Sequence, residues 1–138
     1  MPKAESVLAI DYGESNIGIA FGRDSTVTPL RVISGKNADT AITEIARIIE
    51  DYDVDKLVLG LPLNMQGKET PESIKVRQFA KRLKIKIKKP LVFVDEHSST
   101  KNATKMMLNL GVSQKRRRTK DHFSAAIVLK KYFRKNSA

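Results

Sequence analysis

Four consecutive apolar residues, Val7-Leu8-Ala9-Ile10, stop abruptly at an aspartate, Asp11. A strand with one wet face alternates apolar and polar side chains. An unbroken apolar run is the pattern of a strand covered on both faces, which belongs at the centre of a layered α/β fold. Gly13, Ser15 and Asn16 then supply turn chemistry, and Ile17 to Gly22 resumes an apolar, β-branched character, so the two segments predict an antiparallel hairpin. A third short strand is expected near Leu30 to Ile33, after Pro29.

The period then changes. From a cap at Asn37 or Asp39, the residues Ala41, Ile42, Ile45, Ala46, Ile48 and Ile49 recur at helical spacing up to Tyr52. Lys56 to Gly60 reads as a strand and Pro62 to Gly67 as a loop. Thr70 and Pro71 open a second helix through roughly Leu83, and Leu91 to Val94 is a fifth strand. Ser98, Ser99 or Thr100 is expected to cap a helix carrying Ala103, Met106, Met107 and Leu110 and closed by Gly111. Phe123, Ala126, Ile127, Leu129 and Tyr132 mark a last helix. The order βββαβαβαα predicts a five-stranded mixed sheet flanked by helices: three strands joined by hairpins, two more returned parallel to the first by helical crossovers. A chain of 138 residues fits one domain, 1–138.

Charge narrows the function classes. Residues 1–74 hold seven basic and twelve acidic side chains, net −5, whereas residues 75–138 hold nineteen and three, net +16. So lopsided a positive field suits a polyanion, because clustered Lys and Arg release counterions from a phosphate backbone. No apolar run approaches the roughly 18 residues of a membrane span, and Met1 to Ser6 lacks the apolar stretch of a signal peptide. A cytoplasmic protein without a membrane partner is expected. With no cysteine and only two separated histidines, any metal would be held by oxygens.

The basic half keeps just three acids, Asp95, Glu96 and Asp121. Asp11 ends the first strand, Asp95 and Glu96 end the fifth, and Asp121 opens the final helix, so three distant segments can deliver carboxylates to one edge of the sheet. That set suits Mg²⁺, which prefers a few carboxylates plus water and phosphate oxygens. Each acid alone is as well read as a strand-end acceptor, a helix cap or surface. Gly13 and Gly18 fit a backbone approach, since a residue without Cβ lets a phosphate chain come close.

These residues lead to a resemblance. Val7-Leu8-Ala9-Ile10-Asp11-Tyr12-Gly13, continuing through Ile17-Gly18-Ile19-Ala20, resembles the opening motif of the YqgF-type family, whose members are called Holliday junction resolvases or pre-16S ribosomal RNA nucleases. Gly60-Leu61-Pro62-Leu63-Asn64 with Gly67, Val94-Asp95-Glu96 with Ser99-Thr100 and Ala103, and Asp121 with Ala125-Ala126 resemble its three later motifs. The resemblance implies a ribonuclease-H-like fold, a divalent metal, Mg²⁺ or Mn²⁺, and catalytic, metal-holding acids at Asp11, Glu96 and Asp121. Asp95 is not carried over. It implies hydrolysis of nucleic acid, with the 5′ end of precursor 16S ribosomal RNA favoured and four-way DNA junctions as the alternative, by a monomer or homodimer.

The chain departs from the family pattern twice: Ser15-Asn16 stands where a basic pair is usual, and His97 where an arginine follows the glutamate. His97 and His122 read as ordinary surface residues. Lys115, Arg116, Arg117, Arg118 and Lys120 precede Asp121 and are expected to grip phosphate; Lys81 to Lys89 either extends that track or covers a sheet edge. Two other classes compete. Asp-x-Gly followed by Ile-Gly-Ile-Ala also looks like the first phosphate motif of actin-like ATPases and sugar kinases, but no second such motif follows. A non-catalytic nucleic-acid-binding module has little reason to keep three acids that repel phosphate.

Overall fold

The computed structural model describes residues 4–95 and 121–136. Five strands, β1 (Ser6–Asp11), β2 (Asn16–Arg23), β3 (Thr26–Ser34), β4 (Lys56–Leu61) and β5 (Leu91–Asp95), form one mixed sheet in the order β3-β2-β1-β4-β5. β1 to β3 are antiparallel neighbours, and β4 and β5 run parallel to β1, as the hairpins and crossovers predict. The helices are α1 (Ala38–Tyr52), α2 (Pro71–Lys86) and α3 (Asp121–Asn136). The expected helix over 98–111 lies outside the described residues.

Period-two alternation sends successive residues of β1 to different cores. Leu8 and Ile10 join Ile17, Ile19, Leu57 and Leu59 beneath α1 and α2, while Val7 and Ala9 join Ala20, Val58 and Val94 beneath α3. All four apolar residues of β1 are fully buried, which is why the run is unbroken.

Local chemistry sets the boundaries. Asn37 caps α1, its side chain accepting from the Thr40 amide at 3.0 Å. Thr70 and Ser73 form a reciprocal capping box with Pro71 next, and α2 continues to Lys86, three residues beyond the expected end. Its basic last turn favours that extension by complementing the helix dipole. β3 begins at Thr26 rather than Leu30, because Asp24 and Ser25 both adopt positive φ (52° and 64°) and form a tight two-residue turn. Pro29 is tolerated because β3 is an edge strand whose register shifts beside it. Lys81 to Lys89 spans the last turns of α2 and the connection to β5, the opposite edge.

Candidate active site

Asp11 closes β1 at the pole where the parallel strands end. It is half-buried, and alternation from Val7 and Ala9 puts it on the α3 face of the sheet. Its cross-strand partner is Gly18, so the position directly opposite it on β2 carries no side chain. The residue after it, Tyr12, anchors the strand end on the other face, its ring 4.5 Å from that of Phe79 in α2. Gly13 is needed by the turn itself: a Cβ there would stand 2.6 Å from the Asn16 carbonyl oxygen.

α3 packs on the face that carries Asp11. Its last turns lie at the opposite pole, where β1 and β4 begin. Leu129 and Phe133 pack over Gly22, and Tyr132 Oη accepts from Lys56 Nζ at 2.9 Å and donates to Glu5 at 3.1 Å. Gly22 pairs with Val7, Ala20 with Ala9, and Gly18 with Asp11. Two residues along a strand advance about 6.7 Å and four along a helix about 6 Å. From Leu129, which lies over Gly22, α3 runs back eight residues, about 12 Å, to its first turn. Ala125 and Ala126 are fully buried in that contact. The small residues Ala9, Ala20 and Gly22 let the helix approach closely. The alternation Gly18-x-Ala20-x-Gly22 was a readable signal for this packing, and Gly22 is the residue that sequence reasoning passed over.

Asp95 ends β5 paired with Leu61, and alternation from Val92 and Val94 puts it on the face opposite α3. Its backbone carbonyl accepts from Lys131 Nζ of α3 at 3.3 Å. Glu96, His97, Lys115, Arg116, Arg117, Arg118 and Lys120, and the side chains of Asp121 and His122, lie outside the described residues.

Among the described residues no three His, Cys, Asp or Glu side chains stand together. What the described part does supply, one half-buried carboxylate at a strand end, is a hard oxygen donor suited to Mg²⁺ or Mn²⁺. On the α2 side of the same strand end a cleft of about 260 Å³ is lined by Tyr12, Gly13, Glu14, Ser15, Glu72 and Lys75. Lys75 is ion-paired with Glu14, whose hydrogen bond holds its ammonium pKa above the ordinary value. A roomier cleft of about 550 Å³ runs along the outer side of α1, between Arg31, Glu44, Arg47 and Asp51. It lies on the face away from Asp11, and its mixed charges do not single out a phosphate.

A family model described as "RuvX: Holliday junction resolvase" matches residues 5–135. A protein of Roseiflexus sp. named "Putative pre-16S rRNA nuclease" is 37% identical over 129 residues, covering 91% of this chain and 92% of that protein. A protein of the same name from Dictyoglomus thermophilum is 34% identical over 139 residues, covering 95% and 96%. Among solved structures, Thermus thermophilus RuvC in complex with a Holliday junction substrate superposes with a TM-score of 0.58 at 16% identity, covering 96% of each chain. The fowlpox virus Holliday junction resolvase gives 0.53 at 16% identity, covering 96% and 99%. These likenesses establish the ribonuclease-H-like fold.

Proposed function

We propose, from the premise that this chain belongs to the RuvX Holliday junction resolvase family, that residues 1–138 act as one nuclease domain trimming the 5′ end of precursor 16S ribosomal RNA. Membership makes the chain a hydrolase that cuts phosphodiester bonds, and no helix among the described residues is long and apolar enough to cross a membrane. The rRNA substrate, the cytoplasmic setting and the residue roles are our reading. The relatives' shared name supports the substrate.

One observation carries the site: Asp11 ends a central strand on the face that α3 covers, and α3 opens with Asp121. Asp11, Glu96 and Asp121 would hold one or two divalent ions, Mg²⁺ or Mn²⁺. Such an ion, when bound, lowers the pKa of water and neutralises charge developing on phosphate. The chain's own part is to fix the donors. Tyr12 against Phe79 locks the end of β1, Gly18 leaves the carboxylate's flank open to a phosphate backbone, and small residues under α3 set its distance from the sheet. Lys115, Arg116, Arg117, Arg118 and Lys120 would bind phosphate and orient the strand. Gly13 acts through the turn that carries Asp11 out of the sheet.

A labelled precursor rRNA 5′ segment and a four-way DNA junction, offered side by side with Mg²⁺ or Mn²⁺, test this. Cutting of the RNA alone, abolished by Asp11→Asn, supports the proposal. Symmetric junction cutting would replace it with the resolvase reading, which the family model's description favours and which needs two active sites, hence a homodimer. Binding of both without cutting of either would leave a nucleic-acid-binding module.

A further inference from the structure

The segment Pro62 to Gly67 contains no ionisable group, yet it belongs to one of the four family-like motifs and takes no part in the carboxylate set. It leaves β4 at the same pole as Asp11: β4 is parallel to β1, Ile10 pairs with Leu59, and the loop starts three residues later.

The loop is tightly built. Asn64 Oδ1 accepts from the amides of Gln66 and Lys68, both at 2.9 Å. The Asn64 amide donates to the Lys68 carbonyl at 3.0 Å, and the Gly67 amide to the Asn64 carbonyl at 2.9 Å. Gly67 closes the turn at φ +76°, a conformation favouring glycine. Thr70 Oγ1 ties the far side to the Pro62 carbonyl at 2.6 Å, and Leu63 packs on the core under α2. Out of this frame stands Met65, 87% exposed, the most exposed large apolar side chain among the described residues. Gln66 and Lys68 flank it, both exposed, and a Cβ placed on Gly67 would meet nothing within 4 Å.

A single exposed apolar residue on a flexible loop would call for no explanation. Here hydrogen bonds fix the backbone of the turn that presents one thioether to water at the pole of the sheet where Asp11 ends β1. A polarisable, unbranched side chain packs well on a flat π-face, an amide reads base edges, and an ammonium meets phosphate. We infer that the Asn64–Lys68 turn is a nucleotide-holding finger, in which Met65 stacks on an unpaired base of the substrate and Lys68 contacts the adjoining phosphate.

The inference rests on the reading that the Asp11 edge is where nucleic acid is cut. The probes are RNA oligonucleotides carrying 2-aminopurine near the cleavage site, one with that site unpaired and one fully duplex. Met65→Ala and Met65→Leu are compared in the intact enzyme for kcat and KM, and on an Asp11→Asn background for binding. Ile85→Ala, which removes a 76% exposed apolar side chain from α2, controls for general surface effects. Met65→Ala should raise KM and Kd about fivefold on the unpaired substrate, with kcat little changed. Duplex binding should stay unchanged, the 2-aminopurine signal of the bound base should alter, and Met65→Leu should retain most of the affinity. Equal losses on both substrates, no loss on the unpaired one, or the same loss from Ile85→Ala would overturn the finger alone. Parent-like cutting by Asp11→Asn would overturn the site and the finger together.

Discussion

Gly22→Ala is the most informative single change in the fold, because a methyl group there runs into two side chains of α3. An added Cβ would stand 2.6 Å and 2.8 Å from two ring carbons of Phe133 and 2.8 Å from Leu129 Cδ2. Comfortable carbon contacts begin near about 3.5 Å, so α3 or its side chains must yield by about 1 Å. Gly22 lies outside the positive-φ region. On backbone grounds alone, alanine would therefore stabilise by about 0.4–1 kcal/mol through the unfolded chain. Overpacking opposes this with about 1–3 kcal/mol. The expected net is a destabilisation of about 1–2 kcal/mol, opposite in sign to the backbone effect. The wedge acts eight residues, about 12 Å, from the first turn of the helix, so Asp121 should shift relative to Asp11. Misplacement of about 1 Å can lower kcat by as much as about 10²-fold. Urea unfolding of Gly22→Ala, Phe133→Ala and the double variant gives the coupling, and cleavage rates below the transition give the displacement. The double variant should be less damaged than the two single effects summed. A Gly22→Ala protein as stable and active as the parent, with additive effects, would refute the close packing of α3 on β2.

Removal of the phenol in Tyr132→Phe deprives Lys56 of its 2.9 Å acceptor and Glu5 of its donor, and should cost about 1 kcal/mol by chemical denaturation. That hydrogen bond is the main cause raising the Lys56 pKa above 10.5. The stabilisation is full below 10.5 and fades as pH rises through the folded value, so the difference between the proteins should narrow in strong alkali. Glu69 is held below its ordinary pKa of 4.5 chiefly by its hydrogen bonds to Arg77. The loop before α2 should therefore keep its protection above that value and lose it as pH falls through the lower folded pKa, read as amide exchange over 62–70. Mn²⁺ should raise the thermal midpoint of the parent and leave Asp11→Asn unmoved; equal shifts in both would place the ion elsewhere.

The sheet order was legible because hairpin and crossover lengths leave few arrangements for three short-linked strands followed by two β-α-β returns. Thr70-Pro71 and Asn37 announced helix starts through side chains that accept amide hydrogens. What escaped reading lacked its usual residue types. Asp24-Ser25 makes a turn ordinarily marked by Asn-Gly, and polar Thr26 and Thr28 hid the first half of β3. Asp11 was conspicuous as a charge ending an apolar run. Which face it takes was not, because a strand buried on both sides carries no alternation to read. The contacts of Gly22 and the frame around Met65 depend on residues far away in sequence or on backbone geometry, and both emerge only in three dimensions.

The place of α3 in the chain has a consequence for synthesis. On a ribosome Asp121 is made more than a hundred residues after Asp11, so a nascent chain carries the first carboxylate long before the last can join it. Until residues 121–136 emerge, Val7, Ala9, Ala20 and Val58 lack the α3 side chains that cover them. Translation thus delays both the second core and the complete acid set. If the acids act as proposed, a chain threaded through the machine built on its own substrate class would stay unable to cut until α3 had emerged.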